Sequence, residues 1–461
     1  MARVVVIGAG PMGLAAAYQA SVDGHDVDLV EGAGEPGGMA AHFDFGGLSI
    51  EKFYHFICKD DRATFQILRD LGIADKLRWV PTTMGFYLQG GLQKWGNPAA
   101  LLQLKGVSLF TKLRYGVFAL VCTRRDRWDA LERESARDWL TRWCGKEGYE
   151  NFWRPLFDYK FYEYSDDISA RWIWTRIRRI GRSRRSIFQE ELGYLEGGSQ
   201  TLVDALAEQI RARGSRIRLK CGAERVVVKD GKVTGVETRA GIIAADYVIS
   251  TVPVQQVPGM VPDLPEEWKA RYAAIHNIGI CCVIFKLKRK VSPHFWVNIT
   301  DASQRIPGIV EFSNLRPVDD NIVYVPYYMP ITDPRFSMTD GELVDDSFAC
   351  LTMVNPELTR ADLIDARVGR LRYAQPICEA GFASKIPAVE TPIEGLQVAD
   401  TCFYYPEDRG ISESVRLGRE MARRVTAAVT RAGTRAGAPE ASAGMQPGPV
   451  PVGREAGVVN G

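Results

Sequence analysis

Three glycines and one acid near the amino end carry the clearest chemistry in the sequence. Gly8, Gly10 and Gly13 stand in the spacing G-x-G-x-x-G, and Glu31 follows eighteen positions after the last of them. The first glycine permits a tight turn, the second lets a pyrophosphate approach the backbone, and the third lets a helix lie close on a strand. Pro11 and Met12 fall in the same turn, where that helix starts. Free N–H groups and the positive end of a helix dipole suit a diphosphate. An acid ending the next strand can accept hydrogen bonds from an adenosine ribose. Strand, helix, strand and acid follow in order through VVVIGAGPMGLAAAYQASVDGHDVDLVE, so the stretch predicts a dinucleotide site rather than a bare glycine turn.

Other residues offer chemistry with a plainer alternative beside each. Gly37 and Gly38 form a second glycine pair where a loop must pass the cofactor. His55 follows Tyr54 and precedes Phe56; histidine is the natural proton carrier near neutral pH, yet such a residue among aromatics also suits a hydrogen-bonded structural role. Six arginines lie between Arg176 and Arg185, preceded by Arg154. They read either as a solvated, salt-bridged face or as an anion site for a phosphorylated or carboxylated substrate. Tyr327, Tyr328, Tyr404 and Tyr405 are candidates for an aromatic wall or for ordinary core.

The elements that must position these groups return in alternation. Residues 62–78 have a helical pattern, and 80–190 is rich in aromatics and arginine with long helical stretches. Nucleotide-domain character comes back at 193, where a helix and then strands are expected, and again near 395, where a strand leads to a loop and a helix. Strand-like runs at 278–288, 308–313 and 321–328 lie in the second aromatic region. The expected division is a discontinuous nucleotide domain at 1–78, 190–265 and 386–432, a substrate domain at 79–189 and 266–385, and a disordered tail at 433–461. The fold class is α/β, a Rossmann-like domain of the glutathione-reductase type interleaved with an α+β domain. Such interleaving argues for FAD rather than NAD, because a flavin needs its ring held by returning segments.

Bulk properties narrow the classes further. With 461 residues, 46% hydrophobic and 25% charged, the chain reads as a globular protein of two or three domains. A net charge of +2 gives no global field for nucleic acid. Nine scattered cysteines without a C-x-x-C pair suggest reduced thiols and a cytoplasmic setting, with Cys281 and Cys282 in the core. His25, His42, His55, His276 and His294 show no metal-ligand spacing, so no metal is expected. The run 101–122 is broken by Lys105, Lys112 and Arg114, so it cannot be a free spanning helix. It reads as an amphipathic helix or as a peripheral membrane contact.

These residues resemble the FAD-dependent amine oxidase, protoporphyrinogen oxidase and phytoene desaturase superfamily, which also includes UDP-galactopyranose mutase. The resemblance covers about 1–430 and rests on the fingerprint, Glu31 with Gly37-Gly38, Gly193 to Gly198, Ala245 to Thr251, and the segment around Asp400. Tyr54-His55 and Tyr405-Pro406-Glu407-Asp408-Arg409-Gly410 make it most similar to the protoporphyrinogen-oxidase-like members. Met39 stands where the family often has a pyrophosphate-binding arginine, and Ala399-Asp400 replaces its Gly-Asp. The resemblance implies that Gly38, Met39 and Asp400 lie along the FAD, and that Gly410 and Ile411 open a helix facing the flavin N1–C2=O edge. It also puts Lys160 among residues that can lie near flavin N5, beside His55 and Tyr328 as catalytic candidates. Tyr54, Arg154, Arg176, Tyr327 and Tyr405 are the substrate candidates. The implied activity is hydride transfer from a C–N or C–C bond of a small molecule, anionic in one reading, in glycan, lipid or secondary-metabolite biosynthesis. A sugar-nucleotide mutase without net redox change and a non-catalytic flavoprotein are the alternatives.

Overall fold

The computed structural model describes residues 1–301 and 303–436. Apolar Val4–Ile7, Val27, Leu29, Val30 and Val248–Ile249 are buried on both faces, as parallel strands with helices above and below must be. They form a five-stranded parallel sheet in the order Arg216–Arg218, Asp26–Val30, Arg3–Ile7, Tyr247–Ser250, Leu396–Val398. Helix Pro11–Val22 covers one face and meets helix Ile411–Ala436 so closely that a Cβ on Gly418 would stand 2.1 Å from Met12 O. An antiparallel meander, Ala223–Lys229, Lys232–Thr238 and Gly241–Ala244, adjoins this sheet.

A second, seven-stranded sheet runs Leu363–Pro376, Asn277–Leu287, Asn321–Met329, Gly308–Glu311, Trp296–Ile299, Met84–Leu88, Gly91–Trp95. Strand alternation splits its side chains between two cores. Tyr324, Tyr328 and Cys282 face the main core, whereas Tyr327, Val325 and Cys281 pack into a separate cluster with Phe348 and Leu351 of helix Asp340–Val354. Around the edge lie helices Leu109–Arg124, Ala136–Phe152, Arg154–Phe161 and Ala170–Arg182.

Several expectations for local structure need correction. The helix expected over 62–78 spans only Arg62–Asp70, because strand Leu77–Thr82 pairs with Gln189–Leu195. That pairing also makes the 193 region a strand, and the helix there begins at Gln200. The 80–190 region has its long helical stretches from Leu109 onward, and Met84–Leu88 and Gly91–Trp95 before them are strands that join the second sheet. The last helix continues through 433–436 of the expected tail, and 437–461 lie outside the described residues.

Candidate functional site

The strand Arg3–Ile7 delivers Gly8 at φ +98°, which an L side chain rarely adopts. A Cβ on Gly13 would lie 1.8 Å from Gly8 O, so helix and turn touch through bare backbone. The helix starts after Gly10, which offers no side-chain cap, leaving its first N–H groups for a ligand. Glu31 accepts from the Ala9 amide at 2.7 Å and the Ala33 amide at 2.8 Å. A carboxylate has about four lone-pair sites, so capacity remains for a ribose. Gly37 N donates to Ala9 O at 2.8 Å, and a Cβ on Gly38 would meet Gly10 Cα at 3.0 Å. Met39 is half-buried against the main core. Asp400 is buried and accepts from Val254 N at 2.9 Å and Cys402 N at 2.8 Å, joining the loop after one sheet strand to the loop after its neighbour. Gly410 and Ile411 begin the last helix, with Gly410 O accepting from Ser414 N at 3.0 Å.

The short hairpin His42–Asp44 and Ser49–Glu51 sets a buried ionic cluster beside this cradle. Glu51 accepts from Ser199 N at 3.0 Å and lies 3.4 Å from Arg316 Nη1 and 3.6 Å from His42 Nε2. Burial alone would raise its pKa, but His42, Arg316 and the Ser199 amide outweigh it and hold the carboxyl at about 2. His55 follows four residues later. Burial first, then the positive fields of His42 and Arg409, lower its pKa to about 4 against the pull of Glu51. The imidazole is therefore neutral at pH 7, and its buried Nδ1 has no protein partner. This corrects the expectation of a proton carrier titrating near neutrality.

Tyr54 turns toward the sheet, with its ring 5.6 Å from Trp296 and 5.7 Å from Tyr324, both edge-on. Tyr324 in turn donates its hydroxyl to Glu51 O at 2.8 Å. Tyr328 Oη accepts from Arg409 Nη2 at 2.7 Å, and Lys160 Nζ sits 4.8 Å above the Tyr328 ring. Lys160 is buried at the end of helix Arg154–Phe161. Burial, then repulsion by Arg176 and Arg409, pull its ammonium well below the usual range despite Asp408. Asp408 pairs with Arg176 Nε at 3.3 Å, and its Oδ1 is buried without a partner. Burial would raise Asp408, but Arg176, Lys160 and Arg409 together hold it low.

The arginine-rich helix is neither solvated all round nor an open anion site. Arg178 pairs with Glu407 at 3.1 Å, and Arg179 grips both oxygens of Asp61 at 2.7 and 2.9 Å. Its arginines thus brace the 405–409 loop and the loop before Arg62. Asp408 and Arg409 have separate partners, because Arg409 reaches Tyr328 and Ala374 O instead.

The structure brings Tyr54, His55, Lys160, Arg176 and Tyr328 together. It does not bring in Arg154, which lies on the surface with Glu150 and Asp158, nor Tyr327, which faces the opposite core. Tyr405 stands further along, its hydroxyl shared by Ser169 at 2.8 Å and Glu132 at 2.9 Å. Glu51, His42, Arg316, Trp296, Tyr324, Asp408 and Arg409 join the site without having been singled out as site residues. Asp408 and Arg409 were visible within the Tyr405–Gly410 segment, and Glu51 could have been found as an acid between Ile50 and the Lys52-Phe53-Tyr54 run.

A five-stranded parallel sheet with a glycine cradle, tied to a mixed sheet carrying an aromatic wall, defines a two-part flavoprotein architecture. The chain belongs to the flavin containing amine oxidoreductase family, whose model matches residues 13–352. It is 26% identical over 317 residues to a zeta-carotene desaturase of Synechocystis sp. (strain ATCC 27184 / PCC 6803 / Kazusa), covering 60% of this chain and 62% of that protein. The match therefore spans less than two thirds of that relative's length. In fold it is similar to a candidate protoporphyrinogen oxidase from Exiguobacterium sp. 255-15, with TM-score 0.73 and 19% identity over 92% of this chain and 99% of the other. It is also similar to a reduced UDP-galactopyranose mutase, with TM-score 0.72 and 16% identity over 93% and 95%. The cofactor is FAD. Its fit is visible in the uncapped helix after Gly10, the side-chain-free contact between Gly10 and Gly38, and the acid Glu31 held by two amides.

Proposed function

We propose that this chain oxidises a C–C or C–N bond of a neutral or anionic organic molecule, with FAD as the two-electron acceptor. The observation that carries the reading is the buried Lys160 over Tyr328, flanked by Arg409 and the Arg176–Asp408 pair. Burial, with repulsion by Arg176 and Arg409, loosens the ammonium's hold on its proton and so favours the amine as a proton acceptor. Lys160 takes the proton released as a double bond forms, while Tyr54, Tyr324 and Trp296 offer flat apolar surface to orient the substrate. Two guanidiniums against one carboxylate at this wall disfavour an ammonium substrate. The test is anaerobic flavin bleaching by a panel of neutral, anionic and cationic candidates. Bleaching by cationic amines alone, or a colourless protein that refuses FAD, sinks the reading.

The excess of positive charge that Arg176 and Arg409 leave over Asp408 favours a second reading, a sugar-nucleotide mutase without net redox change, because it suits a diphosphate. Conversion of a UDP-sugar that requires prereduced flavin supports it; absence of UDP- or GDP-sugar binding removes it.

A further inference from the structure

Helix Leu109–Arg124 buries Thr111, Phe118 and Cys122 against its neighbours Ala136–Phe152 and Ala170–Arg182. Its opposite side is apolar as well. Leu109, Phe110, Leu113, Val117 and Leu120, with Leu102 of the preceding helix Pro98–Gln103, are each 52–68% exposed. At about 100° per residue the five on the long helix fall within roughly a 100° stripe. Phe110, Leu113 and Val117 also edge a shallow hollow against Arg114 and Trp143.

The sequence around this stripe carries charge of one sign, although Glu147 of the neighbouring helix caps its start, accepting from Ser108 N at 2.8 Å and Thr111 Oγ1 at 2.5 Å. No Asp or Glu occurs from Lys76 to Arg125, a stretch of 50 residues with 8 basic ones, nor from Ile168 to Gln189, which holds 7 arginines. Those 15 come from a total of 58, and the other 43 are outnumbered by the chain's 56 acids. The protein is thus acidic outside two basic segments, and these segments pack together: Arg182 Nε donates to Thr123 O at 2.9 Å. The arginines of the second segment are largely spent on carboxylates. By contrast, Lys105, Lys112, Arg114 and Arg124 make no ion pair among the described residues. Lys112 and Arg114 instead donate to the main-chain oxygens of Leu102, Trp143 and Arg142. Lys105 precedes the stripe, Arg124 ends it, and Lys112 and Arg114 flank it.

We infer that this stripe docks in the headgroup layer of an anionic lipid bilayer, the helix lying in the plane of the membrane. Apolar side chains on one face with unpaired cations along the borders are the chemistry of an interfacial helix. No helix among the described residues is long and apolar enough to cross a membrane. A second copy is the poorer occupant, because an isologous contact on the stripe sets Lys112, Arg114 and Arg124 against like charges. Nucleic acid does not explain the exposed Leu, Phe and Val along its centre. The inference is independent of which bond the flavin site oxidises.

The test is co-sedimentation of the FAD-loaded protein with sucrose-loaded vesicles of phosphatidylcholine, with and without about 30% phosphatidylglycerol, at two salt concentrations. Preferential binding to the anionic vesicles, weakened by salt, is expected. The F110S/V117S variant should lose at least about tenfold in partitioning. Neutralising substitutions Lys105→Gln and Arg124→Gln should cost about fivefold each. Flavin absorbance and melting temperature, unchanged in each variant, confirm that the fold is intact. Equal binding to both vesicle types, variants that bind as well as the parent, or a dimer that F110S/V117S dissolves without any vesicle binding would each overturn the inference.

Discussion

At the nucleotide cradle the polar contacts come from the main chain: the Ala9 and Ala33 amides on Glu31, and the Gly37 amide on Ala9 O. Around Tyr54 and Tyr328 they come from charged side chains: Arg409 on Tyr328, Arg176 on Asp408, and Arg316 and His42 on Glu51. The first region is assembled by close backbone approach and the absence of side chains. The second is assembled by desolvated charges that compensate each other. Shape therefore governs cofactor retention, and protonation governs the wall.

The sharpest way to break this contrast is Glu51→Ala, which strands Arg316 and His42 in the interior. Removing one partner of a buried ion pair costs about 3–5 kcal/mol, read as a shift in the denaturation midpoint; a loss within about 1 kcal/mol would show that charge does not hold the wall.

Next in size is the acid response. Unfolded histidine takes its proton near pH 6.5, whereas folded His55 resists until about 4, so the unfolded state binds more protons in between. Stability present above about pH 6.5 should fall by about 3 kcal/mol as pH drops to about 4. Glu51 adds a lower window: its contribution, present above about pH 4.3, is lost as pH falls through about 2. Denaturation midpoints measured across pH should lose the upper segment in His55→Gln and keep it in the parent.

Gly13→Ala addresses the other region. Its methyl group meets Gly8 O, and overpacking of about 1–3 kcal/mol predicts about fivefold to 150-fold weaker FAD retention. The flavin-to-protein absorbance ratio after gel filtration checks this, and it should carry no pH dependence of its own between about pH 5 and 7.

The smallest effect is expected from Tyr328→Phe, which leaves Arg409 Nη2 without its acceptor. A charge-assisted bond of about 1.5 kcal/mol corresponds to about tenfold slower flavin reduction. FAD content should stay at the parent level; a colourless variant would merge the two regions that the contrast keeps apart.

The cradle was legible because its parts lie within one strand–helix–strand unit, where spacing alone fixes which backbone atoms meet. The wall was not, because Glu51 meets Arg316 across 265 positions and the loop residue Tyr54 meets Trp296 on a strand far along the chain. The strands Met84–Leu88 and Gly91–Trp95 carried a hairpin signal that an aromatic, arginine-rich composition obscured: Gln89 and Gly90 both take positive φ, as a two-residue turn requires. Alternation also separates neighbours that look equivalent in sequence. Tyr327 and Tyr328 are adjacent, yet only one reaches the site, and nothing but the direction of the strand decides which.

The contact between Gly418 and Met12 has a consequence for how the protein is made. The cradle's first helix is emitted early from the ribosome, but strand Leu396–Val398 and helix Ile411–Ala436, which close around it, are among the last described segments to be synthesised. Cofactor loading therefore waits until Gly418 has been made, and a nascent chain stalled before it carries an unfinished nucleotide fold.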